Sequence, residues 1–477
     1  MRAAGSMRRA AKARARRAGV LPLVCALALV STAAAAQAGG PGKQAAARRA
    51  AAETITYVTR GGDSLYNFGT RYLANPADWQ TIARLNKVSD PYHLRERLRL
   101  RVPVALLRRD GLSAKVIATS GPANHAFRAA PSLPLVVGTT LVEGDRVQTG
   151  AEGFATLQFA DGTHLVIPPD TSLNLGTLRE TVLTGATDRV VELRSGEVES
   201  EVTHATKRDD RFQIRSPSVV AGVRGTQFRV SYSGANHATA VEVLDGAVGV
   251  DKAAAGRPGP AQGVPLAASE RLVAARHGSV TEASGAVGAP VLLLDAPKLA
   301  HPGKVQDGKT VAFDIVPVRG AAGYRVQIGR DAGLLDRVRD QRSNAPHVDM
   351  GALPDDTWFV RIAAIDANGL EGMPNVYAFE RRGLALGTAA GRVVGSRAFS
   401  FRWFVDSGAP ATRFRFVLGT AQDLRTPLID RTDIAAAGAV VNDLPKGEYF
   451  WTVIAEQFEN GRYYQKASPV QSFRIDW

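Results

Sequence analysis

The chain has 477 residues and a formal net charge of +14, and it is 45% hydrophobic and 22% charged. This length predicts three or four domains. A single cysteine, Cys25, excludes a disulfide framework and a cysteine metal site.

The first 38 residues have the three parts of a secretory signal peptide. Bases are followed by the apolar stretch AGVLPLVCALALV and then by small residues that end at Ala36, Gln37 and Ala38. We predict cleavage after Ala38 and a periplasmic, cell-wall-associated protein. The apolar stretch is shorter than the roughly 20 residues of a membrane span, so we expect no stable span after cleavage. An uncleaved anchor and lipidation at Cys25 are the alternatives.

Cleavage would also lower the charge. The seven bases that would leave are Arg2, Arg8, Arg9, Lys12, Arg14, Arg16 and Arg17, so the mature chain would carry about +7 (14 − 7). Such an excess suits an anionic surface but does not by itself indicate nucleic acid. We predict no nucleic-acid partner, because the chain has an export signal and no recognition motif.

After a linker over residues 39–53, the segment 54–104 predicts a strand, two helices and a strand. Apolar and polar residues alternate over 54–59, and a glycine pair then leads to Asp63 as the expected helix N-cap. The second helix is expected from about Ala77. The closing strand is expected over 94–103, with arginines on its outer face.

Several motifs of this segment resemble the LysM domain: Tyr57-Val58, Gly62-Asp63-Ser64-Leu65, Leu85-Asn86 and Leu100-Arg101-Val102-Pro103. The usual Pro-Gly turn before the last strand is absent, and Arg95-Glu96-Arg97 stands there. The resemblance implies a βααβ module that binds N-acetylglucosamine-containing glycans, most often peptidoglycan. The implied glycan-binding residues are Gly62, Asp63, Ser64, Leu65, Tyr66, Asn86, Lys87, Val88 and Ser89. The alternative is a structural module in which Asp63 and Ser64 only cap a helix.

Ser64 also lies in a tetrapeptide that resembles the nucleophile motif of a family of esterases. Such a serine requires a large α/β fold and a distant histidine that an acid activates. A D-x-x-H pattern runs from Asp161 to His164 and lies in a predicted β-hairpin. No H-x-H or H-E-x-x-H pattern indicates a metal site. We therefore predict a non-enzymatic protein without a cofactor, and a cell-wall hydrolase is the enzymatic alternative.

Residues 112–275 predict short strands and turns. Asp161-Gly162 indicates a hairpin turn, and a strand, turn and strand are expected around Ser195-Gly196. Gly222 and Gly225 predict a further tight turn around Arg224. Arg224 there could serve a small anion nest, but a structural ion pair is the favoured interpretation.

Three segments of this region resemble the FecR protein domain: Gly144 to Thr149, Ala160 to Thr163, and Pro217 to Phe228. Well-known members of that family hold a sigma factor in the cytoplasm and receive a signal from an outer-membrane transporter. Only about 17 residues precede the apolar segment here, too few for a cytoplasmic sigma-binding domain. The resemblance therefore implies a periplasmic interaction domain for an unknown envelope protein. A FecR-type signal-transduction component that regulates a sigma factor is the alternative.

A loop from Arg257 to Gly263 and a linker over 276–295 are expected before two β-sandwiches at 296–380 and 381–477. The two units repeat at an offset of about 90 residues, as the segments that begin at Leu353-Pro354 and Leu444-Pro445 indicate. They resemble fibronectin type III or immunoglobulin-like domains. Their tryptophans, Trp358, Trp403 and Trp451, are expected in the cores, with an aromatic sugar platform as the alternative.

Together these patterns predict a mainly β, multidomain envelope protein. The module at 54–104 is expected to bind peptidoglycan, and the FecR-like and β-sandwich domains are expected to present interaction surfaces.

Overall fold

The computed structural model describes residues 53–207, 209–253, 268–282, 286–405, 412–459 and 462–476. The predicted signal peptide, its cleavage site and the loop predicted from Arg257 to Gly263 lie outside these ranges. Within them the chain is mainly β, which confirms the predicted fold class at that level.

The first folded unit contains β1 (Thr54–Val58), α1 (Leu65–Tyr72), a 3₁₀ turn (Pro76–Asp78), α2 (Trp79–Asn86) and β2 (Arg99–Pro103). The strands pair antiparallel, with Thr54 opposite Pro103. Both helices place apolar residues at helical spacing toward a small core, which holds Leu65, Phe68, Leu73, Ile82, Leu94, Leu100, Val102 and Leu107. The second strand begins five residues later than predicted, because Arg97 has a φ of +61° and interrupts the extended backbone.

The next strands form two hydrogen-bonded sheets that share one strand, and we call this unit the central β-domain. Its strands are β3 (Arg109–Gly111), β4 (Ser113–Ser120), β5 (Ala123–Phe127), β6 (Leu133–Pro134), β7 (Thr140–Val142), β8 (Asp145–Thr149), β9 (Phe154–Phe159), β10 (His164–Ile167), β11 (Ser172–Thr181), β12 (Ala186–Val202), β13 (Arg211–Arg215), β14 (Val219–Val223), β15 (Thr226–Ser233), β16 (Ala238–Asp245), β17 (Ala247–Lys252), β18 (Arg271–Ala274), β19 (His277–Thr281) and β20 (Val291–Leu292). Inward aliphatic residues of these strands form one large core.

Strand β12 connects the two halves of this domain. Its first part pairs with β11 and β13, and its second part pairs with β10 and β15. The strand changes partners near Gly196, whose φ is +85° and whose added Cβ would lie 2.4 Å from Thr171 Oγ1. The predicted strand, turn and strand around Ser195-Gly196 is therefore wrong, since one 17-residue strand passes through.

The predicted linker at 276–295 is also wrong in part. It contains β19, which pairs with β16, and β20, which pairs with β19. Its glycines permit close packing, since a Cβ on Gly278 would meet Leu293 at 2.9 Å and one on Gly288 would meet the Val280 carbonyl at 2.0 Å. Small residues here indicate a crowded backbone instead of a flexible connection.

The C-terminal half contains two β-sandwiches. Sandwich 1 has β21 (Lys298–Leu299), β22 (Ala312–Val316), β23 (Gly323–Gly329), β24 (Arg337–Ser343), β25 (His347–Asp349), β26 (Asp356–Ile365) and β27 (Asn375–Arg381). Sandwich 2 has β28 (Leu386–Arg392), β29 (Ala398–Val405), β30 (Arg413–Gly419), β31 (Ile429–Ile434), β32 (Gly438–Asn442), β33 (Gly447–Glu459), β34 (Arg462–Ala467) and β35 (Gln471–Ile475). In sandwich 1 the sheets are β21-β22-β25 and β24-β23-β26-β27.

The predicted repeat has a local structural basis. Trp358 donates its indole N–H to the Pro354 carbonyl at 3.1 Å, and Tyr449 donates its hydroxyl to the Pro445 carbonyl at 2.8 Å. Each aromatic ring thus closes the same Leu-Pro turn in its own sandwich. The three sandwich tryptophans are buried in the cores, as predicted, so they offer no sugar platform.

Candidate functional site

The first candidate site is the surface expected to bind glycan, at the start of α1 and after α2. Ser64 is the N-cap of α1, and its Oγ accepts from the Asn67 N–H at 3.1 Å. Asp63 does not cap this helix as expected. Its carboxylate accepts from the Tyr57 hydroxyl at 2.8 Å and from the Arg60 N–H at 2.7 Å. It therefore closes the turn between β1 and α1.

The hydrogen bond between Tyr57 and Asp63 keeps this turn closed at neutral pH. Burial and the hydrogen bond to Asp63 raise the pKa of Tyr57 to about 12, so its hydroxyl stays protonated and keeps donating at neutral pH. Gly62 is exposed and has a φ of +85°, a conformation that a glycine adopts without steric strain. The turn thus presents its backbone to solvent at a fixed position.

The two expected loops lie side by side. The Leu65 N–H donates to the Pro91 carbonyl at 2.8 Å, and the Leu94 N–H donates to the Asp63 carbonyl at 3.1 Å. Leu65 cannot offer its side chain to a sugar as expected, because that side chain is fully buried in the module core. The i, i+3 spacing of Leu65 and Phe68 directs both residues to the same interior face.

Asn86 also has a structural role. Its Nδ2 donates to the carbonyls of Ile82 at 2.9 Å and Arg101 at 2.8 Å, and its Oδ1 accepts from the Arg101 N–H at 2.7 Å. Its amide therefore joins α2 to β2. Lys87 ends the helix with a φ of 53° and is exposed, as is Ser89, while Val88 is half-buried against the core.

Two exposed tyrosines stand beside the joined loops. Tyr66 follows Leu65 and is 58% exposed, and Tyr92 follows Pro91 and is 64% exposed. Each therefore lies next to one partner of the hydrogen bond that joins the loops. Tyr92 is not among the residues predicted from the sequence, because the residues of that loop show no periodicity. Aromatic rings with a polar tip suit the mixed apolar and hydroxylated face of a sugar.

A second feature lies where the central β-domain meets sandwich 1. Eight charged residues there are each at most 8% exposed. The central β-domain contributes Glu197, Glu199, Arg229 and Glu242, and sandwich 1 contributes Arg325, Arg337, Arg361 and Glu371. We call these eight residues the buried charge cluster. The formal charges of its two halves are −2 (1 − 3) and +2 (3 − 1). Asp340, whose side chain is 6% exposed and pairs with Arg325 at 2.6 Å, lowers the charge of the second half to +1. The two halves therefore have opposite formal charges and are electrostatically complementary.

Strand register aligns each half of the cluster. In the central β-domain, Glu199 lies opposite Arg229 and Arg229 lies opposite Glu242, across β12, β15 and β16. In sandwich 1, Gln327 lies opposite both Asp340 and Arg361, across β24, β23 and β26. Two rows of polar side chains therefore face each other between the domains.

Bidentate and shared ion pairs cross the interface. Glu199 accepts from Arg337 Nη1 at 2.7 Å and from Arg361 Nη2 at 2.6 Å. Arg325 Nη1 donates to Glu197 at 2.6 Å and to Glu371 at 2.8 Å. Charge-assisted bonds in such a dry site are strong. The bonds to Glu197 and Glu199 cross between the domains, while the Arg325–Glu371 bond lies within sandwich 1.

The loop between β26 and β27 completes the contact. Arg229 donates to the Glu371 carboxylate and to the Glu371 carbonyl, both at 2.6 Å, while the Glu371 N–H donates to Glu242 at 2.8 Å. Leu370 of the same loop packs against Leu244 and Leu293. Apolar burial and ion pairing together therefore hold sandwich 1 against the central β-domain.

The ionisation of the cluster follows from these neighbours. Burial alone would raise the pKa of Glu371, but the charges of Arg229 and Arg325 lower that pKa to about 2. The same balance lowers the pKa of Glu199 well below its usual value, through Arg337 and Arg361. Burial raises the pKa of Glu242 to about 7, with Arg229 opposing this shift and Glu371 adding to it.

Among the described residues, no group of three or more His, Cys, Asp or Glu side chains is placed to hold a metal ion. In the same ranges, no helix combines the length and apolar character that crossing a bilayer requires.

Comparison with known proteins identifies one domain. Residues 145–249, from the start of β8 into β17, match the family model described as FecR protein. The chain is thus a mainly β, multidomain protein that carries a FecR domain. A search of curated proteins finds no match.

Solved structures show distant similarity. A putative anti-sigma factor from Parabacteroides distasonis is 17% identical with a TM-score of 0.23, over 31% of this chain and 59% of that one. This chain therefore spans less than two thirds of that protein. A two-domain fibronectin type III segment of chicken tenascin is 13% identical with a TM-score of 0.19, over 37% of this chain and 99% of that one. Fibronectin(III)-like modules of Clostridium thermocellum CbhA are 13% identical with a TM-score of 0.19, over 37% of this chain and 90% of that one.

Proposed function

We propose that this chain is a non-enzymatic signal-transduction component of the bacterial envelope, which acts through its FecR domain on the output of a sigma factor. The FecR match over residues 145–249 carries this proposal. The match covers the strands that contribute Glu197, Glu199, Arg229 and Glu242 to the buried charge cluster. The domain that gives the family resemblance is therefore the one that sandwich 1 contacts.

The cluster suggests how a signal would travel in this proposal. Ion pairs between two complementary halves have a specific geometry, so the FecR domain and sandwich 1 would move as one body. A ligand or partner that displaced sandwich 1 would have to break charge-assisted bonds in the FecR domain. The interface would thus couple events on the C-terminal half to the regulatory domain.

Transcript profiling tests the regulatory role. We compare cells that lack the gene with the same cells complemented by the full chain, by Glu199→Ala or by Glu201→Ala. We expect loss of the gene to change a set of transcripts that share one promoter element, and the full chain and Glu201→Ala to restore them. Glu199→Ala should fail, because it opens the interface. Unchanged transcripts in cells that normally make the protein would contradict the proposal.

A second function, binding of peptidoglycan by residues 54–103, is favoured by a separate observation. The hydrogen bond between Leu65 and Pro91 joins two loops, and exposed Tyr66 and Tyr92 stand beside it. The order of strand, helix, helix and strand and the motifs that resemble LysM support the same proposal. The module would then attach a periplasmic protein to N-acetylglucosamine-containing glycan, or let it sense that glycan.

Co-sedimentation with purified peptidoglycan tests this second function. We expect the full chain to sediment, and a chain without residues 54–103 to stay in solution. Tyr66→Ala combined with Tyr92→Ala should weaken binding by roughly tenfold, since each aromatic contact contributes about 0.5–1.5 kcal/mol.

Tyr463→Ala is the matched control, because Tyr463 is 59% exposed on sandwich 2 and far along the chain from the module. It should sediment as the unaltered protein does. If the double variant and the control bind equally, the tyrosines are not the contact. If the deleted chain still sediments, another surface binds the wall.

A further inference from the structure

A pocket of about 270 Å³ opens in the central β-domain, between the end of β12, the segment that follows it and the turn after β14. Buried Val202, Phe212 and Val223 form an apolar wall. Among its described lining residues, four are cationic and two are acidic, a formal balance of +2 (4 − 2); they are Arg189, Lys207, Arg211, Arg224, Asp161 and Asp210. Asp188, outside the lining, pairs with Arg211 at 2.6 Å and lowers this balance to +1 (4 − 3). The pocket therefore combines apolar surface with a small excess of positive charge.

Arg189 is the buried cation of this pocket. Its side chain is 5% exposed, and its Nη1 donates to Asp161 at 2.5 Å. Its Nε is buried and has no hydrogen-bond acceptor. A guanidinium whose donors are only partly satisfied in a desolvated site favours the approach of an anion, preferably a planar carboxylate.

The backbone beside the pocket is open. His204, Ala205 and Thr206 lie outside any strand, and none of the backbone hydrogen bonds in the described part of the chain involves them. Both ends of this segment are fixed, since the Thr203 N–H donates to Thr163 Oγ1 at 3.2 Å and the Lys207 N–H donates to Asp210 at 3.0 Å. The segment thus offers a short row of N–H and C=O groups at a set position.

Gly225 holds this segment close to the pocket. Its φ is +100°, and an added Cβ would lie 2.6 Å from His204 Cα. Of the two glycines that predict a tight turn here, only Gly225 lies in the turn and is required for a close backbone approach. Gly222 lies within β14, where it pairs with Gln213 and Gly249. Gly225 places the open segment against the turn that also carries Arg224.

We propose that this pocket binds the C-terminus of an extended peptide. The terminal carboxylate would lie at Arg189, and the last, apolar side chain would lie against Val202, Phe212 and Val223. The peptide backbone would pair with residues 204–206, in the manner of strand addition with capture of a terminal carboxylate. An apolar wall, a buried cation and an open backbone together favour this ligand over an inorganic anion, which needs only the charge. The proposal does not depend on the regulatory function above.

Fluorescence polarisation with the full chain tests the proposal. The probes are fluorescein-labelled hexapeptides of sequence Gly-Ser-Gly-Ser-Val-X, with X as Val, Phe, Asp or Lys, each made with a free carboxylate and as the C-terminal amide. We expect the free acids that end in Val or Phe to bind, and their amides to bind at least tenfold more weakly. Equal binding of acid and amide, or no binding of any peptide up to millimolar concentration, would overturn the proposal.

Two variants locate the binding. Ala205→Glu places a negative charge on the pocket wall without removing a hydrogen bond. This charge would repel the terminal carboxylate of the peptide, so we expect binding of the free-acid peptide to weaken at least tenfold. Arg189→Met should do the same, provided that circular dichroism shows an unaltered fold. Ala130→Glu, an equal change on an exposed turn of the same domain, should bind as the unaltered chain does. Retained binding by Ala205→Glu would place the peptide elsewhere and overturn the assignment.

Discussion

Replacing Glu199 by alanine is expected to lower the free energy of unfolding of the central β-domain and sandwich 1 by about 3–5 kcal/mol. Glu199 is 8% exposed, and its carboxylate pairs with both Arg337 and Arg361 across the interface. Without it, two guanidinium groups would remain buried beside each other. Burial and the charge of Arg337 already lower the pKa of Arg361, so their repulsion would be uncompensated.

Amide hydrogen exchange, resolved by peptide, measures this effect where it arises. We expect faster exchange in β12, β15 and β23 of the Glu199→Ala variant, because these strands carry the facing rows. Glu201→Ala is the control. Glu201 lies two residues further along β12, its side chain is 69% exposed, and its one ion pair among the described residues is with His164, at 4.0 Å. Its effect should stay within about 0.5 kcal/mol. Equal protection in both variants would show that the cluster contributes little to the stability of the interface.

The buried charge cluster could not have been predicted from the sequence. Strand β23, GYRVQIG, alternates so that Tyr324, Val326 and Ile328 face the sandwich core, which predicts a solvent-facing side for Arg325 and Gln327. That side is covered by another domain, and every residue of the strand is buried. Strand β12, which faces β23 across the interface, lies more than a hundred residues earlier, so no local sequence pattern connects the two strands.

The candidate glycan site was predictable only in outline. Helical spacing and turn residues gave the order of strand, helix, helix and strand, and they placed Ser64 near a helix start. They could not decide between Asp63 and Ser64 as the cap, because both residue types accept from backbone N–H groups. They also could not decide whether Leu65 lies on the surface or in the core. Its motif implies contact with glycan at the surface, whereas its helical spacing predicts a core position. Side-chain direction settles both questions.

The cluster also gives the chain a dependence on pH. The pKa of Glu242 is raised to about 7, so the native state holds this proton more tightly than the unfolded chain does. Its contribution to stability is fully present below the unfolded pKa of about 4.3 and is lost as the pH rises to about 7. Glu371, with a pKa of about 2, acts oppositely, and its contribution is lost as the pH falls below about 4. Mildly acidic solution should therefore stabilise the interface most.

Glu242→Gln is expected to remove most of the loss of stability between pH 5 and pH 8, a loss on the order of 2–3 kcal/mol in the unaltered chain. Glutamine keeps an acceptor for the Glu371 N–H but does not titrate. Urea unfolding at pH 5, 6, 7 and 8 measures the difference, and comparison with the unaltered chain cancels the titration of the histidines. Glu201→Gln, the same change at an exposed site, should keep the original slope. An unchanged slope in Glu242→Gln would mean that Glu242 is ionised throughout this range, with Arg229 outweighing both the burial and the neighbouring carboxylates.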